Sequence, residues 1–228
     1  MPGGGPEWRS RVAAGWQAPR ISRMSELSQE IAAAAARLVV EEGLEYGPAK
    51  RRAVKVLGLN ARAQLPGNDE VEEAVEEYLA IFCADTQPAE LAALRELAAR
   101  WMERLTEFRP YLAGAVWRGT ATRLNDIHLQ LYCDDQKSAE IALINQRLDY
   151  DVGSVPGPRG QGVDCLSLTV PCPGLGGEGI GLHLTILDLD DLRGALKPDA
   201  RGRTERGDLD ALKKLMEDAD HDDTHPPG

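Results

Sequence analysis

Cysteine is scarce: four in 228 residues, at 83, 133, 165 and 172, with no Cys-x-x-Cys pair among them. The closest two, Cys165 and Cys172, are seven apart, wider than a zinc knuckle or redox motif needs. Disulfide scaffolds are shorter and denser in cysteine, so reduced thiols packed as small hydrophobes in a cytosol are the expectation. Long apolar runs are missing too. None approaches the ~18 residues of a membrane helix, and the N-terminus has no apolar core of about 7–15 residues, so neither a transmembrane segment nor a secretory signal is expected. The sequence contains no P-loop, no HExxH and no GxSxG. Its glycine-rich GLGGEG (174–179) precedes a strand rather than opening a helix, which argues against a dinucleotide fold. ATP-dependent ligases and classical dehydrogenases therefore have no support.

Basic charge is the scarcer sign. Lys and Arg number 26 against 37 Asp and Glu, a net charge of −11. Residues 1–23 carry four arginines against Glu7, so the rest of the chain stands at −14. A body this acidic is repelled by phosphate backbones, which argues against nucleic acid as a partner.

What is present falls into two textures between two tails. Residues 1–23 are rich in Gly, Pro and Arg without a sustained period. They read as a disordered leader, with Met24 the natural start or the leader a basic tail. The acidic stretch 218–228 reads as a disordered tail. Residues 25–106 are helical throughout. The first helix spans about 25–42, placing Leu27, Ile31, Ala35, Leu38 and Val39 on one face with Gly43 as its stop. A short helix covers about 48–57. A third starts at an Asn68 cap and repeats Val71, Val75, Tyr78, Leu79 and Phe82, its outer face carrying Glu72 and other acids. A fourth, capped by Thr86, buries Leu91, Leu94, Ala98, Trp101 and Leu105. From Pro110 the period drops to two. Strands are expected at 111–117, 127–133, 148–152, 163–171 and 179–189, with helices at 137–146, 190–196 and 208–218 and a loop at 153–162. The fold class is α+β: an N-terminal helical region, then a small mixed sheet with flanking helices over 107–217.

One stretch concentrates chemistry: RPYLAGAVWRGTATRLNDIHLQLYCDD, 109–135. An apolar strand ends at Gly114-Ala115, Gly119 follows, and Asn125-Asp126-Ile127-His128 opens the next strand. Strand geometry points Asp126 and His128 to the same face, about 7 Å apart along the chain. Small residues before a turn let a phosphate approach backbone N–H groups, and a nearby carboxylate suits a hard divalent ion. In the same loop, Trp117 and Arg118 would stack a base and grip a phosphate, although the plainer reading packs Trp117 into the sheet.

These residues resemble the minimal nucleotidyltransferase domain of the DNA polymerase beta superfamily, over roughly residues 95–190. The family signature is a helix, a strand ending in Gly-Gly or Gly-Ser, a further Gly, then Ser-Asp-x-Asp and a third carboxylate on a later strand. Gly114 and Gly119 match its glycines and Asp126 its first aspartate. Ala115 replaces Ser or Gly, Asn125 stands for the Ser, and His128 replaces the second aspartate. The third acid belongs on IGLHLTILD, whose central same-face positions are His183 and Thr185.

The resemblance implies a transferase that moves a nucleoside monophosphate from a nucleoside triphosphate with metal assistance. Asp126, His128 and His183 would be catalytic residues and metal ligands, and Gly114, Ala115, Arg118, Gly119 and Asn125 would face the nucleotide. Histidine in place of carboxylate favours Zn²⁺ or Mn²⁺ over Mg²⁺. One acid holds too little charge for two Mg²⁺ ions, which supports the alternative: a catalytically silent module of this fold that binds a partner protein or a nucleotide regulator, as a regulatory, antitoxin-like protein would.

The remaining candidates have plain readings. Lys50, Arg51, Arg52 and Lys55 form a solvated face opposite the acidic third helix. His221 and His225 belong to the acidic tail, Asp188, Asp190 and Asp191 cap the junction of a strand with a helix, and Cys133 faces away from His128 into the core.

Overall fold

A computed structural model of the chain describes residues 20–60, 62–192 and 204–222. Four helices come first: α1 (Arg20–Glu42), α2 (Tyr46–Val56), α3 (Asn68–Phe82) and α4 (Gln87–Arg104). Then follow β1 (Tyr111–Ala113), α5 (Gly114–Arg118), β2 (Ile127–Cys133), α6 (Gln136–Asn145), β3 (Asp151–Pro156), β4 (Gly162–Cys172), β5 (Glu178–Asp188), β6 (Arg206–Gly207) and α7 (Leu209–Asp222). The expected α+β architecture is present. The leader to residue 19, the expected helix beyond 192 and the tail from 223, with His225, lie outside the described residues. Among the described residues no helix is long and apolar enough to cross a membrane.

Helices α1 to α3 make a core of their own. Ile31, Ala35 and Val39 of α1, Ala49 and Ala53 of α2, and Val71, Val75 and Leu79 of α3 are buried together. The alanines let the three backbones approach closely, and burial of the valine and leucine stripe supplies the driving force. Gly43 ends α1 as expected, at φ +67°, with its N–H on the Val39 carbonyl at 3.0 Å.

The six strands run in the order β3-β4-β5-β2-β1-β6. All neighbours are antiparallel except β2 and β5, which lie parallel with His128 paired to His183. Alternation does the positioning. Ile127, Leu129, Leu131 and Cys133 of β2 and Leu182, Leu184 and Ile186 of β5 face one side, where α4 covers them with Leu94, Leu97, Ala98, Trp101 and Met102. Helix α4 therefore belongs to the sheet's core rather than to that of the first three helices.

Several expectations need correction. The strand expected over 111–117 stops at Ala113, because Gly114 at φ +76° turns the chain into the short helix α5. The loop expected from 153 is strand as far as Pro156, which is tolerated because β3 is an edge strand. The helix expected from 190 is a 3-10 turn, Leu189–Leu192, over its described part. Helix α1 begins at Arg20, inside the presumed leader, and α7 runs on to Asp222, inside the presumed tail. Gly67, not Asn68, caps α3, with the Glu70 carboxylate accepting its N–H at 2.7 Å. Asn68 instead accepts from Lys50 Nζ at 2.8 Å, so one residue of the basic cluster ties α2 to the start of α3. Phe82 is 67% exposed and stacks on Tyr78, whereas Glu72, expected on the outer face, is 6% exposed because it faces Arg118 of α5.

Candidate functional site

The parallel pairing of β2 with β5 brings the sequence candidates together. Asp126 precedes β2, and its Oδ1 accepts the Gly181 N–H at 3.1 Å from β5. Its Oδ2 lies 3.0 Å from His183 Nε2. The other nitrogen of that ring, Nδ1, is 2.9 Å from Ser167 Oγ on β4. His128 stacks on His183 with ring centroids 5.0 Å apart and planes inclined by 20°. Its Nε2 is 3.8 Å from Glu45 Oε1, at the start of α2. Gly114 packs beneath the His128 ring, since a Cβ there would lie 3.4 Å from its Cδ2.

These groups line a cleft of about 540 Å³ between the end of α1, the start of α2 and the sheet. Gly114, Ala115, Arg118, Asn125, Asp126, His128 and His183 all border it. Asn125 borders it through a closed turn, because its Oδ1 accepts the Thr122 N–H at 2.8 Å. Gly119 turns elsewhere: its carbonyl accepts from Gln87 at 3.0 Å, and a Cβ would meet the Arg95 guanidinium. Trp117 follows the plain reading, packing against the core with its indole N–H donated to the Thr204 carbonyl at 2.7 Å. Asp188 accepts the Asp190 N–H at 2.9 Å, also as the plain reading expects.

The electrostatics follow from these contacts. The hydrogen bond to Asp126, then one to Cys165, outweighs burial and raises the His183 pKa to about 9. In return the His183 hydrogen bond pulls the Asp126 carboxyl below its usual range. Burial, then the charge on His183, pushes His128 down. At neutral pH the site is thus an imidazolium–carboxylate pair with a neutral imidazole stacked on it. Burial raises the Cys165 thiol, but hydrogen bonds led by that from His183 prevail and bring it below its ordinary value.

This donor set does not fit a metal centre. A metal ligand must present a free lone pair, and both His183 nitrogens are already hydrogen-bonded. Among the described residues, no group of three or more His, Cys, Asp or Glu side chains is placed to hold an ion. What the arrangement offers is an ion pair in a cleft, its imidazolium held by a hydroxyl and a carboxylate.

Three members escaped the sequence reading. Ser167 and Cys165 sit on β4, where antiparallel pairing sets Ser167 opposite His183. They share a strand face by alternation, a signal that needs the β4–β5 register to be useful. Glu45 joins from a turn between helices and carries no local signal. No known protein family matches this chain, and neither does any curated protein or solved structure.

Proposed function

We propose that this chain is a catalytically silent, nucleotidyltransferase-like binding module that holds an anionic ligand, a nucleotide in the first instance, in the cleft at Asp126 without a metal ion. The observation that carries this reading is the hydrogen-bonded Asp126–His183 pair. It stands where the resemblance puts metal-binding acids, and it is an ion pair without net charge. An ion pair of this kind offers Mg²⁺ no net negative charge to hold it, and an anion meets none to repel it. Gly114 and Ala115 border the cleft, and Arg118, facing Glu72 at 3.6 Å, lies at its edge.

The test is a thermal-shift series on the full chain with the four ribonucleoside triphosphates. Each is measured with Mg²⁺, Mn²⁺ or Zn²⁺ and with chelator. A nucleotide at about 100 times its dissociation constant stabilises by about 2.7 kcal/mol, a rise of several degrees at this size. The expected rise is the same with chelator as with metal. A rise that needs metal and nucleotide together, and that disappears in Asp126→Asn, would overturn the silent reading in favour of metal-dependent transfer. No rise under any condition would remove the nucleotide.

A protein partner is the second reading. It is favoured by the end of α3, where Ile81 and Phe82 are 62% and 67% exposed side by side. Under it, the double change Ile81→Ser and Phe82→Ser releases a co-purifying protein and leaves the nucleotide response unchanged. Purification of the wild-type chain without any stoichiometric companion would sink this reading.

A further inference from the structure

Away from the histidine pair, one full charge is buried without a counter-charge among the described residues. Arg95, in the middle of α4, is 8% exposed. Its Nε donates to the Val116 carbonyl at 3.2 Å, and among the described residues no carboxylate lies within ion-pair distance of it. Burial lowers its pKa with no acid to oppose the effect. An uncompensated guanidinium in the interior is strongly destabilising, and such groups are ordinarily paired.

Arg95 borders a cavity of about 710 Å³, separate from the cleft at Asp126 but sharing Glu45, Tyr46 and Arg118 with it. The volume suits a small molecule. Two further donors in this wall are buried and make no hydrogen bond, the Tyr46 hydroxyl and Arg118 Nε, the latter facing Glu72 Oε1 at 3.6 Å. The charges sort by depth. Glu72 faces Arg118 at 3.6 Å, with side chains 8% and 31% exposed, so these two offset each other. Glu45, Asp69 and Glu205 are exposed at the rim, in water. Among the described residues, this leaves the positive charge of Arg95 in the interior.

We propose that this cavity is an oxyanion-binding site, in which Arg95 receives the carboxylate or phosphate of a small ligand and Tyr46 and Arg118 donate the additional hydrogen bonds. The planar guanidinium fork matches either group, and both act through the same charge-assisted hydrogen bonds. The inference does not rest on the reading of the Asp126 cleft.

The experiment titrates the full chain with sodium phosphate and, in a parallel arm, sodium acetate, against sodium chloride at equal ionic strength. Binding is followed by melting temperature and calorimetry. A saturable response at one site per chain is expected, and whichever salt acts at the lower concentration identifies the preferred group. Arg95→Met should weaken it about tenfold or more. Without ligand, Arg95→Met should melt no lower than wild type, because an apolar side chain of similar length relieves the buried charge. Asp126→Asn should leave the response in place. If Arg95→Met does not fold, Arg95→Lys carries the same test: it keeps the charge, loses the fork and should bind more weakly. The proposal is overturned if wild type shows no saturable response to either salt, or if the response survives the Arg95 variants at full strength. Loss of the response in Asp126→Asn alone overturns it as well, since that outcome places the anion at His183.

Discussion

Asp126→Asn should lower the His183 titration from about 9 toward its ordinary value of 6.5, with the hydrogen bond to Cys165 still supporting it. Asparagine keeps an oxygen for the Gly181 N–H, so the change removes charge with little loss of shape. The consequence for stability has a defined sign. His183 is raised in the folded state, so its contribution is complete below pH 6.5 and fades as the pH climbs through about 9. Asp126 is lowered, so its contribution holds above 3.8 and fades as the pH falls through its folded value. Wild type and variant should therefore differ most between pH 4 and 6.5 and converge above pH 9. With Asp126 half exposed, solvent screening cuts the full linkage value to about 1–2 kcal/mol. Histidine NMR titration with urea unfolding at pH 5.5 and pH 9.5 checks both statements. An unmoved His183 resonance in the variant would show that the ion pair does not set its protonation.

Gly207→Ala should cost about 3 kcal/mol, at the upper end for overpacking a filled site. The benzo edge of Trp117 occupies the place a Cβ would take. Neither side has room to give. Trp117 is held by its indole N–H on the Thr204 carbonyl, three residues from Gly207 on the same segment, and Gly207 is paired with Leu112 of β1. Shrinking the ring frees the space, so Trp117→Leu combined with Gly207→Ala should recover part of the loss, a coupling that a double-mutant cycle in urea isolates. A change within 0.5 kcal/mol for Gly207→Ala alone, the level of an ordinary surface substitution, would mean that β6 yields where this packing says it is pinned.

The strands and helices legible in the sequence are those long enough to display their period. Strand β2 matches its expected span, and β4 and β5 agree to within one residue at either end, because alternation over seven residues or more leaves little freedom. Helix α5 has five residues, fewer than two turns, and cannot reveal a period, so a strand was read through it. The site was half legible. Asp126, His128 and His183 stand out by residue type and position. Their contact depends on β2 lying beside β5, a pairing across more than fifty residues that no local pattern encodes. Glu72 and Arg95 were missed for one reason. A charged residue on a helix reads as surface, and only the placement of α5 shows that both are covered.

The separation of the two apolar clusters has a consequence for how the molecule opens. Among the described residues the cluster of α1, α2 and α3 shares no side chain with the cluster that α4 builds on the sheet. Beside the packing of Gly43 on Leu124, what joins them near the site is polar: Glu72 with Arg118, Arg118 over Tyr46, and Glu45 near His128. Parting such a seam exposes little hydrocarbon and so changes the heat capacity little, while either cluster can persist without the other. Amide exchange should accordingly fall into two protection classes, with the first three helices releasing their protons as one cooperative unit and the strands as another. A ligand seated in the seam would slow the exchange of both together, and that common slowing would be the signature of occupancy.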